Sequence, residues 1–456
     1  MNSEPPSPAP GRRERAVDVL VVGAGPAGLA LASRLAGTGT ANGTVDVEVV
    51  DREDEPGGVP RHCLHPGFGL RDLRRPMTGP AYALHWTDAA LRAGATVRTG
   101  VTVTGWSDVV GPATGAGPLT VDVTSPAGLE RITARAVVLA TGARESPRSA
   151  RLVPGTRPAG VFTTGELQRT VAPRRRPVGR RAVVVGAESV SYSAVRTLRQ
   201  AGVDVVAMVT ELPYHQVSPA TAGDARLRHG VPLLVGARVG ELLGRERLSG
   251  VVVRHRDGRS ATVACDTVVF TGDWIPDHEL VRRGGITLDR ATRGPAVDGS
   301  FRTDRAGVFG IGNLLHAVEP ASTAAREGLL AAGPVLRHLR DGARPAAWVP
   351  VQVDAPLLWI APNRIDPADP RVATGGFTLR TEDRLGPLSS LVVSRGGRVL
   401  HRQRLVRGAV PNRTLRLSAA WTAKVRAETR TVEVRAAARG AEATPDDTPV
   451  RISVER

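Results

Sequence analysis

The side chains best equipped for chemistry stand together at His62-Cys63-Leu64-His65, one thiol between two imidazoles. A neighbouring histidine lowers a thiol pKa and raises the thiolate fraction, the form that reacts with electrophiles and passes through a sulfenic acid. A second reading makes the cluster a pocket lining, with His62 or His65 as acid or base. A third makes Cys63 an inert, small core residue. The residues leave all three open. Cys265, the only other cysteine, lies in a strand-like run and reads as core. Two cysteines provide no Cys-x-x-Cys pair, no disulfide framework and no iron–sulfur ligand set, and no metal site is expected. His316 and Glu319 lie near a late glycine turn and are softer candidates, as are Arg61 and Arg144 for an anionic substrate.

Two glycine-rich turns are placed to hold a cofactor. The apolar run Asp18–Val22 leads into Gly23-Ala24-Gly25-Pro26-Ala27-Gly28, and a helix-like segment follows. Gly23 permits the tight turn, Gly25 lets a diphosphate approach the backbone, and Gly28 lets helix and strand pack closely. The diphosphate would face free N–H groups at the positive end of the helix dipole. The next strand, Val45–Val50, ends in Asp51, an acceptor for ribose hydroxyls. It lies 28 positions after Gly23 (51 − 23), and the polar insert Thr38–Thr44 accounts for the extra length over the usual spacing. A second strand, Arg181–Val185, runs into Gly186-Ala187-Glu188-Ser189-Val190-Ser191. There Glu188 stands where the second glycine belongs, and a carboxylate beside a diphosphate is both bulky and repulsive.

The elements that must position these turns are short apolar strands with glycine exits. They are Ala136–Ala140 into Thr141-Gly142, Val203–Val209, Thr267–Phe270 into Thr271-Gly272, and Gly307–Ile311 into Gly312-Asn313. Residues 1–15 are polar and proline-rich and read as disordered, and Arg174-Arg175-Arg176 reads as a linker. From about residue 346 the texture changes to short alternating runs around turns such as Arg395-Gly396-Gly397-Arg398, a small β-rich domain of hairpins. The chain of 456 residues is long enough for several cores. Its net charge of +17 comes almost wholly from arginine, Lys424 being the only lysine. With aromatics at 3%, that charge reads as compositional bias, and no nucleic-acid partner is expected. No apolar run suits a membrane span. Arg12-Arg13 does not open an export signal, so a cytoplasmic location is expected.

Taken together, the two dinucleotide turns, the Ala-Thr-Gly after the first, and the late Gly-Val-Phe-x-x-Gly-Asn resemble the FAD-dependent pyridine nucleotide–disulfide oxidoreductase superfamily. The stretches Gly57–Gly69, Met77–Ala83 and Thr141-Gly142-Ala143-Arg144-Glu145 through Pro154-Gly155 look like its opine and amine dehydrogenase flavoprotein branch. That branch includes the oxidoreductase accompanying glycerol-3-phosphate oxidases. The resemblance covers roughly residues 16–335. It implies an α/β fold with two Rossmann-like, three-layer domains (FAD- and NAD(P)-binding) and an added C-terminal β-rich domain. The expected divisions are 16–155 (FAD, first part), 156–272 (NAD(P)-like), 273–345 (FAD, second part) and 346–456 (β-rich). It carries FAD binding to Gly23, Gly25, Pro26, Ala27, Gly28, Asp51, Arg52, Thr141, Gly142, Gly312 and Asn313. The late motif of the family usually ends in Gly-Asp, and Asn313 keeps one acceptor for the ribityl chain. The helix after it, from Ala321, would stabilise charge on reduced flavin. Disulfide members place two cysteines after the Gly-Gly, and here only Cys63 remains. Glu188 makes NAD(P)H a doubtful ligand. The implied activity is hydride transfer between flavin and a small-molecule substrate or NAD(P)H, with His62, Cys63 and His65 as catalytic candidates. A homo-oligomer, a partner redox subunit of an amine- or opine-type dehydrogenase, and a non-catalytic FAD scaffold remain as alternatives.

Overall fold

The first strand, β1 (Arg13–Val22), lies at the centre of a sheet because its second half, Val19–Val22, is apolar on both faces. In this computed structural model the described residues are 12–40, 43–107, 118–172, 176–228, 230–342, 347–425 and 432–437. They form two units. One runs to Leu288 and adds Arg293–Pro295 and Arg302–Ala343; the other comprises Asp289–Thr292, Ala296–Phe301 and the chain from Arg344.

The first unit holds a mixed sheet and a parallel one. Helix α1 (Pro26–Leu35) follows β1, then come β2 (Val47–Val50), α2 (Gly79–Arg92), β3 (Thr96–Arg98), β4 (Thr102–Trp106), β5 (Leu119–Ser125) and β6 (Gly128–Leu139). The strand order is β3-β2-β1-β6-β5-β4. The twelve-residue β6 pairs with β1 along most of its length and forks on its other side. Its first half pairs antiparallel with β5, and its end pairs in parallel with a late strand described below. Residues 13–15 are not disordered: Arg13–Arg15 pair in register with Glu130–Ile132, and Arg15 bonds the buried Glu48 at 2.6 Å. Arg98 joins Glu48 to Glu130, at 2.9 and 2.7 Å, so charges of both signs are balanced beneath the sheet. Residues 1–11 lie outside the described residues, as do two of the three linker arginines, 174 and 175.

The chain then crosses through β7 (Ala143–Glu145) into β8 (Val161–Thr163), α3 (Thr164–Val171), β9 (Arg181–Val185), α4 (Ser189–Gln200), β10 (Asp204–Val209) and β11 (Leu233–Leu234). An antiparallel meander follows, β12 (Ala237–Gly244), β13 (Leu248–His255) and β14 (Ser260–Val263), and then β15 (Thr267–Phe270). The order β8-β15-β9-β10-β11 is parallel throughout. The return strand β16 (Trp274–Pro276) pairs antiparallel with β7, so exit and return make one two-stranded ribbon. β17 (Val308–Gly310) completes the first sheet beside β6, and α5 (Ala321–Asp341) covers it. Helix α5 packs on α1 through small residues: a Cβ on Gly328 would collide with the Ala27 carbonyl.

Among the described residues the second unit is built of β-strands, with one short 3-10 turn at Thr422–Lys424. Its five-stranded sheet runs β20-β18-β25-β22-β23 and its three-stranded sheet β19-β21-β24. The strands are β18 (Val349–Val353), β19 (Leu357–Ala361), β20 (Arg364–Ile365), β21 (Gly376–Thr381), β22 (Ser390–Arg395), β23 (Arg398–Arg404), β24 (Leu415–Ser418) and β25 (Val432–Ala437). Two glycines with positive φ, Gly396 and Gly397, turn β22 into β23. Gln403 bridges the sheets, its amide donating to Arg416 O at 2.7 Å and accepting from Ser418 N at 2.8 Å. Phe377 stacks on the fully buried Trp421 at the core. The pieces 289–292 and 296–301, which the sequence reading assigns to the second part of the FAD-binding domain, belong to this unit instead. Among the described residues no helix is long and apolar enough to cross a membrane.

Candidate functional site

The first glycine turn separates two kinds of demand for glycine. Gly23 has φ +111°, and a Cβ there would collide with Ala140 O; a Cβ on Gly28 would collide with Gly23 O. The fold itself requires both. At Gly25 a Cβ would meet nothing within 4 Å. The space in front of Gly25 is open, at the start of a helix whose N-terminal residue makes no side-chain cap bond. Pro26 and the buried Ala27 begin α1, where a missing N–H and a small side chain suit the first turn. Asp51, at the end of β2, accepts from Ala24 N at 2.7 Å and Glu53 N at 2.9 Å. These bonds fix the loop and still leave lone pairs on the carboxylate. Arg52 pairs with Asp277 at 3.1 Å.

The exit and return segments lock onto each other. Thr141 Oγ1 donates to Asp277 O at 2.8 Å, and Asp277 N donates to Gly142 O at 2.9 Å. At the late turn Gly312 has φ +70°, and a Cβ would press on Ala27, so this turn packs directly on the first loop. Gly312 N donates to Glu327 Oε2 at 3.0 Å. The other oxygen, Glu327 Oε1, meets His316 Nε2 at 3.0 Å. His316 is thereby drawn into the interior at 2% exposure. Asn313 does not project freely: its Oδ1 accepts from Glu319 N at 2.9 Å and its Nδ2 donates to Glu319 O at 3.2 Å. One amide hydrogen and one lone pair remain for a ligand.

Cys63 is buried and is joined to the half-buried His65 through Gln168 and Ser193, while the half-buried His62 lies beside Arg61 and outside that chain. Cys63 caps a short turn and is 6% exposed. Burial pushes its thiol up to about 12, against the small lowering pull of Gln168. At neutral pH it is a thiol. Its Sγ lies 3.5 Å from Gln168 Oε1 on α3, Gln168 Nε2 donates to Ser193 Oγ on α4 at 3.2 Å, and Ser193 Oγ lies 2.6 Å from His65 Nε2. His65 Nδ1 faces Pro66 O at 3.0 Å, so Nδ1 carries the proton and Nε2 accepts from Ser193. One directed chain of donors thus ties the loop of the first fold to two helices of the second. Burial lowers the pKa of His65, and burial with the nearby Arg61 and Arg169 lowers that of His62. Both rings are neutral bases at neutral pH. Arg61 is held by Glu53 at 3.4 Å, and Arg144 by Glu279 at 3.1 Å.

Gln168, Ser193 and Glu327 escape a reading of the sequence. Gln168 and Ser193 carry no motif, and their partners are 105 and 128 positions away. Glu327 does carry a signal, since it interrupts the buried small-residue face Ala324, Ala325, Gly328, Ala331 of α5.

Comparison with known proteins bears on the whole first unit. Residues 17–328 match the family model of the pyridine nucleotide-disulphide oxidoreductases. The chain belongs to this family. It is 29% identical over 377 residues to the alpha chain of a sarcosine oxidase from Rhizobium meliloti, covering 77% of this chain and 34% of that protein. It is 27% identical over 346 residues to an opine oxidase subunit from Agrobacterium tumefaciens, covering 69% and 65%. The chain therefore spans less than two thirds of either relative. The crystal structure of T. acidophilum thioredoxin reductase shares the fold with a TM-score of 0.60 at 21% identity, over 72% of this chain and 99% of that one. Family membership assigns FAD as cofactor and oxidoreduction as the class of chemistry, with NAD(P)H as the usual partner of the family. The open face at Gly25, the uncapped α1 terminus and the remaining lone pairs of Asp51 fit the ADP half of such a cofactor.

Proposed function

We propose that this chain is the FAD-carrying component of an oxidoreductase that moves a hydride between flavin and a small amine-type molecule. In this reading it works beside a partner redox subunit. The observation that carries the reading is Gly25, a glycine the fold does not require, at the one point where a diphosphate must touch the backbone. The similarity to subunits of sarcosine and opine oxidases supports the substrate class and the partner.

When bound, FAD supplies the hydride acceptor. The chain supplies the rest. Gly23, Gly25, Pro26, Ala27 and Gly28 hold the diphosphate, and Asp51 takes the ribose hydroxyls. Arg52, Thr141 and Gly142 fasten the ribbon beside it through Asp277. Gly312 and Asn313 hold the ribityl side, steadied by Glu327 and the Glu319 backbone. The N-terminus of α5, without a side-chain cap at Pro320, offers its dipole to negative charge. His62 and His65, neutral and half-buried, are the groups able to take a proton from a substrate ammonium before hydride departure. Cys63, a buried thiol held against Gln168, takes a structural part in this reading.

The test is anaerobic titration of the flavin-loaded protein with a panel of secondary amines and N-alkyl amino acids. Bleaching of flavin absorbance by at least one class is expected. No bleaching by any of them, with or without a co-purifying subunit, would contradict the substrate class.

A further inference from the structure

The second glycine turn holds two buried carboxylates that the chemistry above does not use. β9 ends at Val185, Gly186 (φ +138°) follows, and α4 begins after Glu188, whose backbone is extended like that of Gly25 before α1. At Gly25 the space for a side chain is open. At Glu188 a side chain fills it and is only 6% exposed. Glu188 Oε2 accepts from Ala187 N at 3.0 Å, so a backbone donor of the turn is already taken. Glu188 Oε1 makes no hydrogen bond among the described residues. The rest of the turn is equally full: Ser191 Oγ and Thr271 Oγ1 lie 2.7 Å apart, and both crowd Gly186 together with Glu188 Oε2.

A second buried carboxyl lies beside it. Glu145, at the end of β7, is 9% exposed; its Oε2 accepts from Gly165 N at 2.9 Å and its Oε1 has no bonding partner among the described residues. It is near enough to Glu188 for their charges to repel. Arg151 is the nearby cation, and its guanidinium is spent on backbone carbonyls, Ser146 O at 3.0 Å and Gly272 O at 2.7 Å.

We propose that Glu188 is the specificity-determining residue that closes the second dinucleotide fold to NAD(P)H, its carboxylate occupying the place that the open face of Gly25 leaves for a diphosphate in the first. The usual reductant of the family would then be refused, and electrons would enter from the substrate and leave to an acceptor of another class. A helix N-terminus that attracts anions is here filled by an anion of the chain itself. Diphosphate entry would bring two more negative charges against Glu188 in a poorly solvated site. This inference is independent of the substrate proposed above.

The experiment uses the full chain loaded with FAD, titrated anaerobically with NADH and with NADPH. Binding is followed by equilibrium dialysis, and flavin reduction by absorbance. Wild type is expected to show no saturable binding below the millimolar range. Glu188→Gly is expected to bind one or both nucleotides at least about tenfold more tightly, and Glu188→Gln, which keeps the bulk but drops the charge, to gain less. Circular dichroism and flavin content report whether each variant has folded. Micromolar binding by wild type overturns the proposal, as does a folded Glu188→Gly variant with no gain. Where Glu188→Gly does not fold, Glu188→Gln decides: a measurable gain supports the proposal and none overturns it.

Discussion

Glu145 offers a test that needs no substrate and no cofactor. Its carboxyl is pushed up to about 7 from the ordinary 4.5, first by burial and then by the charge of Glu188, while the Gly165 N–H, the nearby Thr164 hydroxyl and Arg151 pull the other way and do not prevail. The native state therefore keeps a proton that the unfolded chain releases, and stability falls as pH rises from about 4.5 towards 7. The shift of 2.5 units (7 − 4.5) corresponds to about 3 kcal/mol at full ionisation. For a unit of roughly 330 residues that is ~4 °C of melting temperature. Glu145→Gln stays neutral and keeps an acceptor for Gly165 N. The variant should match wild type near pH 5 and exceed it by ~4 °C near pH 8. Thermal melts of both proteins across this range, at one ionic strength, give the difference curve in which the other titrating groups cancel. Parallel curves, with the same gap at both ends, would refute the reasoning, and so would a variant less stable at alkaline pH.

Three further outcomes follow from the same geometry. With its thiol near 12, Cys63 is ionised to roughly one part in ten thousand at pH 8, so native protein should resist thiol-specific reagents that label the unfolded chain at once; rapid native labelling at Cys63 would contradict its burial. Glu327→Ala removes the carboxylate that His316 and the Gly312 N–H share in the interior and should cost ~3 kcal/mol or more, with loss of flavin, whereas Glu327→Gln should lose less; melting and flavin content check both. Ser193→Ala removes the hydroxyl that donates to His65 Nε2, a bond that favours the neutral ring, so the His65 pKa should rise. The acid limb of the kcat/KM profile should then move to higher pH, and an unmoved limb means that another group titrates.

What could be read from the sequence is local and steric. Gly23 and Gly28 are dictated by contacts within a few residues or with the adjoining strand, and their spacing alone predicts the backbone they adopt. Glu188 was legible for the same reason, as a break in that spacing. What could not be read depends on partners far along the chain. Arg13–Arg15 look like a solvated tail until β6 pairs with them and the buried Glu48 answers Arg15. Asn313 looks free to reach a ligand, yet both ends of its amide hold the Glu319 backbone six residues on. Cys63 beside two histidines suggests an activated thiol. Its actual neighbour is a neutral amide from α3, and desolvation outweighs that weak bond. Charge type and spacing say little about burial, which decided the state of the thiol and of both imidazoles.

If FAD sits on the first glycine turn, Gly25 is reserved for it. The direct measurement is the flavin-to-protein ratio of wild type and Gly25→Val after reconstitution with FAD, together with the melting temperature of both apoproteins. About one flavin per chain is predicted for wild type, little or none for the variant, and similar apoprotein melting, because a side chain at that position meets open space. A wild type that stays colourless, or a variant that binds flavin as tightly as wild type, would contradict it.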